Sequence, residues 1–314
     1  MPWPLIRILP RKFHFDFVKL APFAAILSVL LIAGSGVSFL TKGLNLGIDF
    51  RGGTLIEVVT PGAAPLAELR TALQEMGAHD PQVQGFGAAN AAMLRFRPAE
   101  GENAMDAARG FQQKLAAEFP GIEFKRAEVV GPKVSGELLK GGFLALGVAL
   151  LLMLGYIWFR FQLQFGLGAV VAVFHDIILT LGILSVMQIE FSMTSIAALL
   201  TVIGYSMNEK VITFDRLREN LRKWKSLPLR DIINLSENER LSRTLITGTT
   251  AILALSGAIF LGGPVLFPLV FTMVFGIFVG TYSSIYVALP IILLWGVKRS
   301  DEEATPLKPA AARP

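Results

Sequence analysis

TVIGYSMNEKVITFDRLREN, residues Thr201 to Asn220, carries an apolar span without a break into polar and then basic sequence. Its first half has the composition of a helix in hydrocarbon. Its second half brings Glu209, Lys210, Asp215 and Arg216, and a charge near the centre of a membrane helix costs about 2.5–3.5 kcal/mol on insertion scales. Arg216 and Arg218, at the polar end, also have the simpler reading of interfacial anchors. A second ionisable pair, His175-Asp176, lies inside another apolar run. Charges placed in this way need partners or a task.

The rest of the chain has the composition of a polytopic α-helical membrane protein. Of its 314 residues 53% are hydrophobic and the mean hydropathy is +0.57, too apolar for a soluble domain and too segmented for one buried core. Cysteine is absent, which excludes disulfides, thiol catalysis and thiolate metal sites. The net charge of +5 comes from Lys and Arg clustered beside the apolar runs, a pattern that topology explains without a nucleic acid. The basic opening MPWPLIRILPRKFHFDFVKL precedes the apolar Ala21–Leu40. That run exceeds the roughly 7–15 residues of a signal-peptide core and Gly34-Ser35-Gly36 makes a poor cleavage site, so a retained first span is expected.

Six stretches are long and apolar enough to cross hydrocarbon, which takes about 20 helical residues. They are Phe17–Leu40, Leu138–Phe159, Phe165–Met187, Met193–Phe214, Leu245–Leu261 and Pro268–Val297, the last with Pro290 expected to kink or end it. The loops Gln188–Ser192 and Gly262–Phe267 lack Lys and Arg, whereas Arg216–Arg243 and the tail from Lys298 are rich in them. Residues 1–16, the 216–243 loop and a disordered tail 298–314 are therefore expected in the cytoplasm.

Thr41–Glu137, between the first two spans, has soluble composition and the size of a small domain. Strands are expected at Leu55–Val59, Gln82–Phe86, Met93–Arg97 and around Ile122–Phe124. One helix is marked by Leu66, Leu69, Leu73 and Met76, and a second, capped by Asn103, by Met105, Ala108, Phe111, Leu115 and Phe119. The order β-α-β-β-α-β is the split arrangement of α+β ferredoxin-like domains. It contains no nucleophile-base pair, metal cluster or phosphate loop, and His79 reads as a surface loop residue. A handling or docking surface is expected, not an enzyme.

Within the third span Thr180 lies one turn beyond Asp176; in the fourth, Gly204, Asn208, Val211 and Asp215 share a stripe, and Glu209 and Arg216 another. Leu221 and Trp224, among basic residues, read as a short surface helix ended by Pro228, and Ser236 with Glu239 as a capping box.

Gly47-Ile48-Asp49-Phe50-Arg51-Gly52-Gly53 is most simply a permissive turn from membrane to strand. As a whole, however, GIDFRGG resembles the signature after the first span of the SecD/SecF family of bacterial protein export. Val130-Gly131-Pro132 with Gly136-Glu137-Leu138, His175-Asp176, IGYSMNEKVITFDRLREN, Arg243-Thr244-Leu245 and Gly262-Gly263-Pro264 continue the likeness in order. After Asn208, where many relatives carry Asp and a small residue, this chain has Glu209-Lys210.

The resemblance implies half of a resistance-nodulation-division bundle in the bacterial inner membrane, with residues 41–137 periplasmic. It also implies a SecD companion half, the SecYEG channel, SecA-dependent exported polypeptides and YajC as partners beside membrane lipid, and protons as coupling ion with no cofactor. A half-transporter exporting a lipid or small molecule, and a subunit whose buried charges only lock helices, are the competing readings. For the motor, hydrocarbon favours a neutral Asp176 and a nearby cation a charged one, so a small movement changes its protonation. Either Lys210 or Arg216 supplies that cation. Lys210 is nearer the membrane centre and is preferred, with Arg216 as anchor and Thr180, Asn208, Glu209 and Asp215 along the path.

The loop charges generate a test of orientation. In intact cells, an impermeant thiol reagent added outside will label Ala88→Cys and leave Ser226→Cys unmodified; labelling of Ser226→Cys alone reverses the topology.

Overall fold

The computed structural model describes residues 13–97 and 104–297. A helical bundle is formed by α1 (Phe17–Thr41), α5 (Pro132–Arg160), α6 (Leu163–Met187), α7 (Met193–Lys223), α8 (Leu229–Leu261) and α9 (Gly263–Ser283); α9 continues through a π-helical turn, Ser284–Ala288, into α10 (Leu289–Trp295). Among the described residues five helices are long and apolar enough to cross a membrane: α1, α5, α6, α8 and the α9–α10 rod. The remaining long helix, α7, has 31 residues, but the polar side chains within Tyr205–Lys210 and its charged second half offset the apolar start. It packs against α6, α8 and α9.

Small residues bring these helices close. A Cβ at Gly276 of α9 would overlap Val202 of α7, and one at Gly280 would stand 3.0 Å from the Ser206 Cβ, so α9 lies against α7 at backbone range. Around that seam Phe165, Phe214, Ile203, Leu217 and Ile292 form a buried core. The outer faces of α1 and α5 remain bare, with Phe23 71%, Leu151 70% and Phe159 95% exposed, as surfaces for lipid or another chain.

Three local expectations change. No separate surface helix follows Asn220, since α7 runs on to Lys223 and Pro228 precedes α8. Ser236 is not a cap: it lies inside α8, where its hydroxyl donates to the Ile232 carbonyl at 2.7 Å. Pro290 does not end the last helix. Lacking an N–H, it leaves the Tyr286 carbonyl without its usual partner, and the π-helical turn takes up the mismatch.

The chain leaves α1 for one helical turn, α2 (Ile48–Arg51), then β1 (Gly53–Val59), α3 (Leu66–Glu75), β2 (His79–Phe86), β3 (Ala88–Arg97), α4 (Ala104–Glu118) and β4 (Glu123–Val130). His79 thus begins a strand, exposed at its end. The proposed cap Asn103 lies outside the described residues. The four strands make an antiparallel sheet of order β2-β3-β1-β4. One face packs α3 and α4 through Ile56, Val58, Leu69, Leu73, Leu94, Phe111 and Leu115. The opposite face, with Leu55 and Met93, meets Ile48 and looks toward the membrane helices.

GIDFRGG explains itself at this junction. Gly52 and Gly53 have φ of +71° and +124°, and a Cβ on Gly53 would stand 2.7 Å from the Phe96 carbonyl oxygen. The Gly47 N–H donates to the Phe191 carbonyl at 2.9 Å, and the Phe50 and Phe191 rings lie 5.6 Å apart. Asp49 accepts the Met193 N–H at 2.8 Å, satisfying one of the free donors at the start of α7.

Because one closed core layer covers the helix side of the sheet, residues 53–130 as a separate fragment will unfold in one cooperative thermal transition. Leu69→Asp or Phe111→Asp, which place a charge in that layer, will abolish it. A fragment that melts without cooperativity refutes this.

Candidate functional site

Asp176 of α6 is 1% exposed in the middle of the bundle, where its two oxygens serve different partners. Oδ2 accepts from Lys210 Nζ at 2.8 Å, from Ser283 Oγ at 2.8 Å and from Ser206 Oγ. Lys210, fully buried, spends its three donors on Asp176, on Ser283 Oγ at 3.0 Å and on Ser206 Oγ. Ser206 and Lys210 stand one turn apart on α7, so both face α6.

Oδ1 faces His175 Nδ1 at 3.0 Å, and His175 Nε2 meets Ser28 Oγ of α1 at 3.1 Å. Ser28 in turn contacts Tyr282 Oη at 2.9 Å, and Tyr282 donates to the Ala24 carbonyl at 2.7 Å. Tyr282 spends its one O–H on the Ala24 carbonyl, which leaves its oxygen as an acceptor facing Ser28. Asp176 thus joins Lys210 on one oxygen to a chain of imidazole and hydroxyl groups on the other.

A second buried cluster adjoins the first. Glu209, next to Lys210 in α7, accepts from Arg240 Nη1 and from Thr244 of α8. Arg240 also holds Glu237 through Nε at 2.8 and 2.9 Å and donates to Ser284 Oγ at 3.1 Å. The two clusters share neighbours twice: Lys210 with Glu209, and Ser283 with Ser284. The π-helical turn begins at this serine pair, one hydroxyl serving each cluster.

The sequence-derived residues divide accordingly. Asp176 and Lys210 come together; Glu209 stands in the adjoining cluster. Thr180 touches Asp176 only at its main chain, donating to the carbonyl at 2.7 Å. Asn208 is exposed on the side of α7 away from Ser206 and Lys210, so it does not line this site. Asp215 pairs at 3.1 Å with Arg160 in an exposed bridge. Arg216 pairs with Glu239 at 2.8 Å and Glu219 at 2.6 Å, toward the basic end of the bundle. Gly47, Asp49, Phe50, Gly52 and Gly53 lie elsewhere, at the junction described above.

Ser283, Ser28, Tyr282, Glu237 and Arg240 were not singled out in the sequence, and Ser206 and Thr244 stood there only as parts of longer motifs, with no role at the site. Ser206 with Lys210, and Glu237 with Arg240 and Thr244, have helical spacings that place them on common faces. Ser28 and Tyr282 reach His175 from α1 and α9, and no local pattern marks them.

Comparison with known proteins places this geometry in context. Residues 111–298 match the family described as protein export membrane protein SecD/SecF, C-terminal, and residues 37–60 match the SecD/SecF GG motif. A protein translocase subunit SecF of Cereibacter sphaeroides is 43% identical over 308 residues, covering 94% of this chain and 93% of that relative. Its counterpart in Rickettsia felis is 38% identical over 302 residues, covering 95% and 97%. The crystal structure of SecDF, a translocon-associated membrane protein of Thermus thermophilus, superposes with a TM-score of 0.81 at 34% identity over 94% of this chain. The chain spans 40% of the length of that SecDF chain. With more than half of its length matched by the family model and its relatives aligned almost end to end, the chain belongs to the SecD/SecF family of protein export membrane proteins.

Proposed function

We propose that the protein is a translocase subunit that uses the proton gradient to help polypeptides leave the SecYEG channel on the outer side of the inner membrane. SecD supplies the companion half, the clients are SecA-dependent exported polypeptides, and YajC is an accessory partner. In this reading α7 is the sixth span, both termini are cytoplasmic and the ferredoxin-like domain is periplasmic. The subunit couples proton movement to mechanical work and is not an enzyme. Its coupling ion is the proton, with no organic cofactor.

One observation carries the reading: four helices converge on a single buried carboxylate. α6 holds Asp176, α7 contributes Ser206 and Lys210, α9 contributes Ser283, and α1 is reached through His175 and Ser28. Sliding any of these helices changes the donors around Asp176 and hence its hold on a proton. By linkage, taking up or losing a proton changes the preferred helix arrangement. The names of the relatives point the same way.

Asp176→Asn, which leaves Lys210 without its counter-charge, will lower stability, and the complexes that still assemble with the companion chains will lose gradient-dependent export in membrane vesicles, while Asp176→Glu keeps part of it. Full gradient-dependent export by an assembled Asp176→Asn complex sinks the proposal. If the pair only locks helices, the Asp176→Asn complexes that survive stay coupled to the gradient.

Lys210→Met tests the pair from the other side. An unpartnered buried charge costs about 3–5 kcal/mol, so this variant will lower the unfolding temperature. The double variant Asp176→Asn/Lys210→Met will recover stability without recovering export. Recovery of both means the charges are structural.

A further inference from the structure

The helix-free face of the sheet and the outer ends of the membrane helices enclose a half-open cavity of about 800 Å³. Leu55, Phe86 and Met93 give it an apolar floor on the sheet side, and Phe267, early in α9, borders it from the helix side. The mechanism built around Asp176 makes no use of it.

Two side chains on this face have unused hydrogen-bonding atoms. Arg95 is 7% exposed; its Nη2 forms an ion pair with Glu190, from the loop between α6 and α7, whereas Nε and Nη1 have no hydrogen-bond partner. Glu57 Oε1 also lacks one, its nearest cation being Arg126 Nη1 at 3.5 Å. Burial holds the Glu57 carboxyl above the usual carboxylate range, against the opposing charge of Arg126. Glu57 and Arg95 both line the cavity, and their unpartnered atoms, closed to water as the side chains stand, are exceptions in a fold where most buried polar groups are satisfied.

Their spacing narrows the ligand. In the β1–β3 register Glu57 lies opposite Met93 and Leu55 opposite Arg95, making Glu57 and Arg95 diagonal neighbours on one face, about 7–8 Å apart. Along an extended chain, alternate residues present N–H and C=O on the same edge at a repeat of about 6.6 Å. The cavity also carries four carboxylates, Asp49, Glu57, Glu128 and Glu190, against two guanidiniums, Arg95 and Arg126. A phosphate or other free anion is disfavoured there, whereas a neutral carbonyl suits the spare Arg95 donors.

We propose that this cavity holds an extended stretch of polypeptide by its main chain. One peptide N–H donates to Glu57, a carbonyl on the same edge accepts from Arg95, and a side chain lies on the Leu55–Met93 floor. Main-chain recognition tolerates many sequences. The proposal rests on the export reading for its biological meaning and locates a polypeptide contact on this chain.

The test uses the full chain, purified in nanodiscs of zwitterionic phospholipid without any proton gradient, and a fluorescent unstructured peptide read by anisotropy. Saturable binding is expected. It will weaken by about tenfold or more, equivalent to about 1.4 kcal/mol, when the peptide backbone is N-methylated and in the Met93→Trp variant, which sets a bulky ring on the cavity floor beside Arg95 and Glu57. A benzophenone amino acid at Gln84, which also lines the space, will crosslink the peptide whether or not the Met93→Trp variant folds. No binding by the unmodified chain, equal binding of the N-methylated peptide, or crosslinks to lipid alone overturns the proposal. Because no gradient is applied, that outcome leaves the Asp176 reading standing, and failure of the Asp176 test leaves this one standing.

Discussion

Burying Asp176 and Lys210 inside the helical bundle constrains much of it. Neither charge is tolerable there alone, and even as a pair they need their remaining hydrogen-bonding capacity filled. Ser206 and Ser283 fill it. To bring Ser283 within reach, α9 has to lie against α7 at backbone range, which Gly276 and Gly280 permit. The π-helical turn then begins at the serine pair, with Ser284 facing the Glu209–Arg240 cluster. The glycines, serines and the helix irregularity are thus linked requirements of two neighbouring charge clusters.

The same helix connects the site to the sheet domain. Lys210 lies on α7, whose first N–H is held by Asp49 of the GIDFRGG turn. That turn leads directly into β1, and Arg95 of β3 forms an ion pair with Glu190 just before α7. α7 is thus tied to the sheet domain by a capping bond, an ion pair and the Leu46–Phe191 bridge. These contacts form one continuous path between the helix that carries Lys210 and the sheet domain.

Much of this was legible in the sequence, and the reasons are specific. Apolar runs reveal helices because hydrocarbon demands about 20 residues each, and the alternation and spacing in residues 41–137 give the order of strands and helices. Asp176 and Lys210 stood out because charge is rare in such runs. Arg216 had the right charge, but two surface acids hold it. Asn208 had a polar side chain within the span but lies on the wrong side of α7. The Ser28–Tyr282 arm was hidden, since it joins helices 254 residues apart in sequence. Pro290 was visible as a fault in the last helix, but the π-helical turn that accommodates it depends on packing against α6 and α7.

The central claim is that Asp176 changes protonation while remaining inside the bundle. Difference infrared spectroscopy on the reconstituted protein measures this directly, following the carboxyl C=O band as the outer solution is acidified. The account predicts a buried carboxyl band that grows with acidification, disappears in Asp176→Asn and titrates at a different pH in Lys210→Arg. A spectrum with no titrating buried carboxyl, or one unchanged by Asp176→Asn, contradicts it.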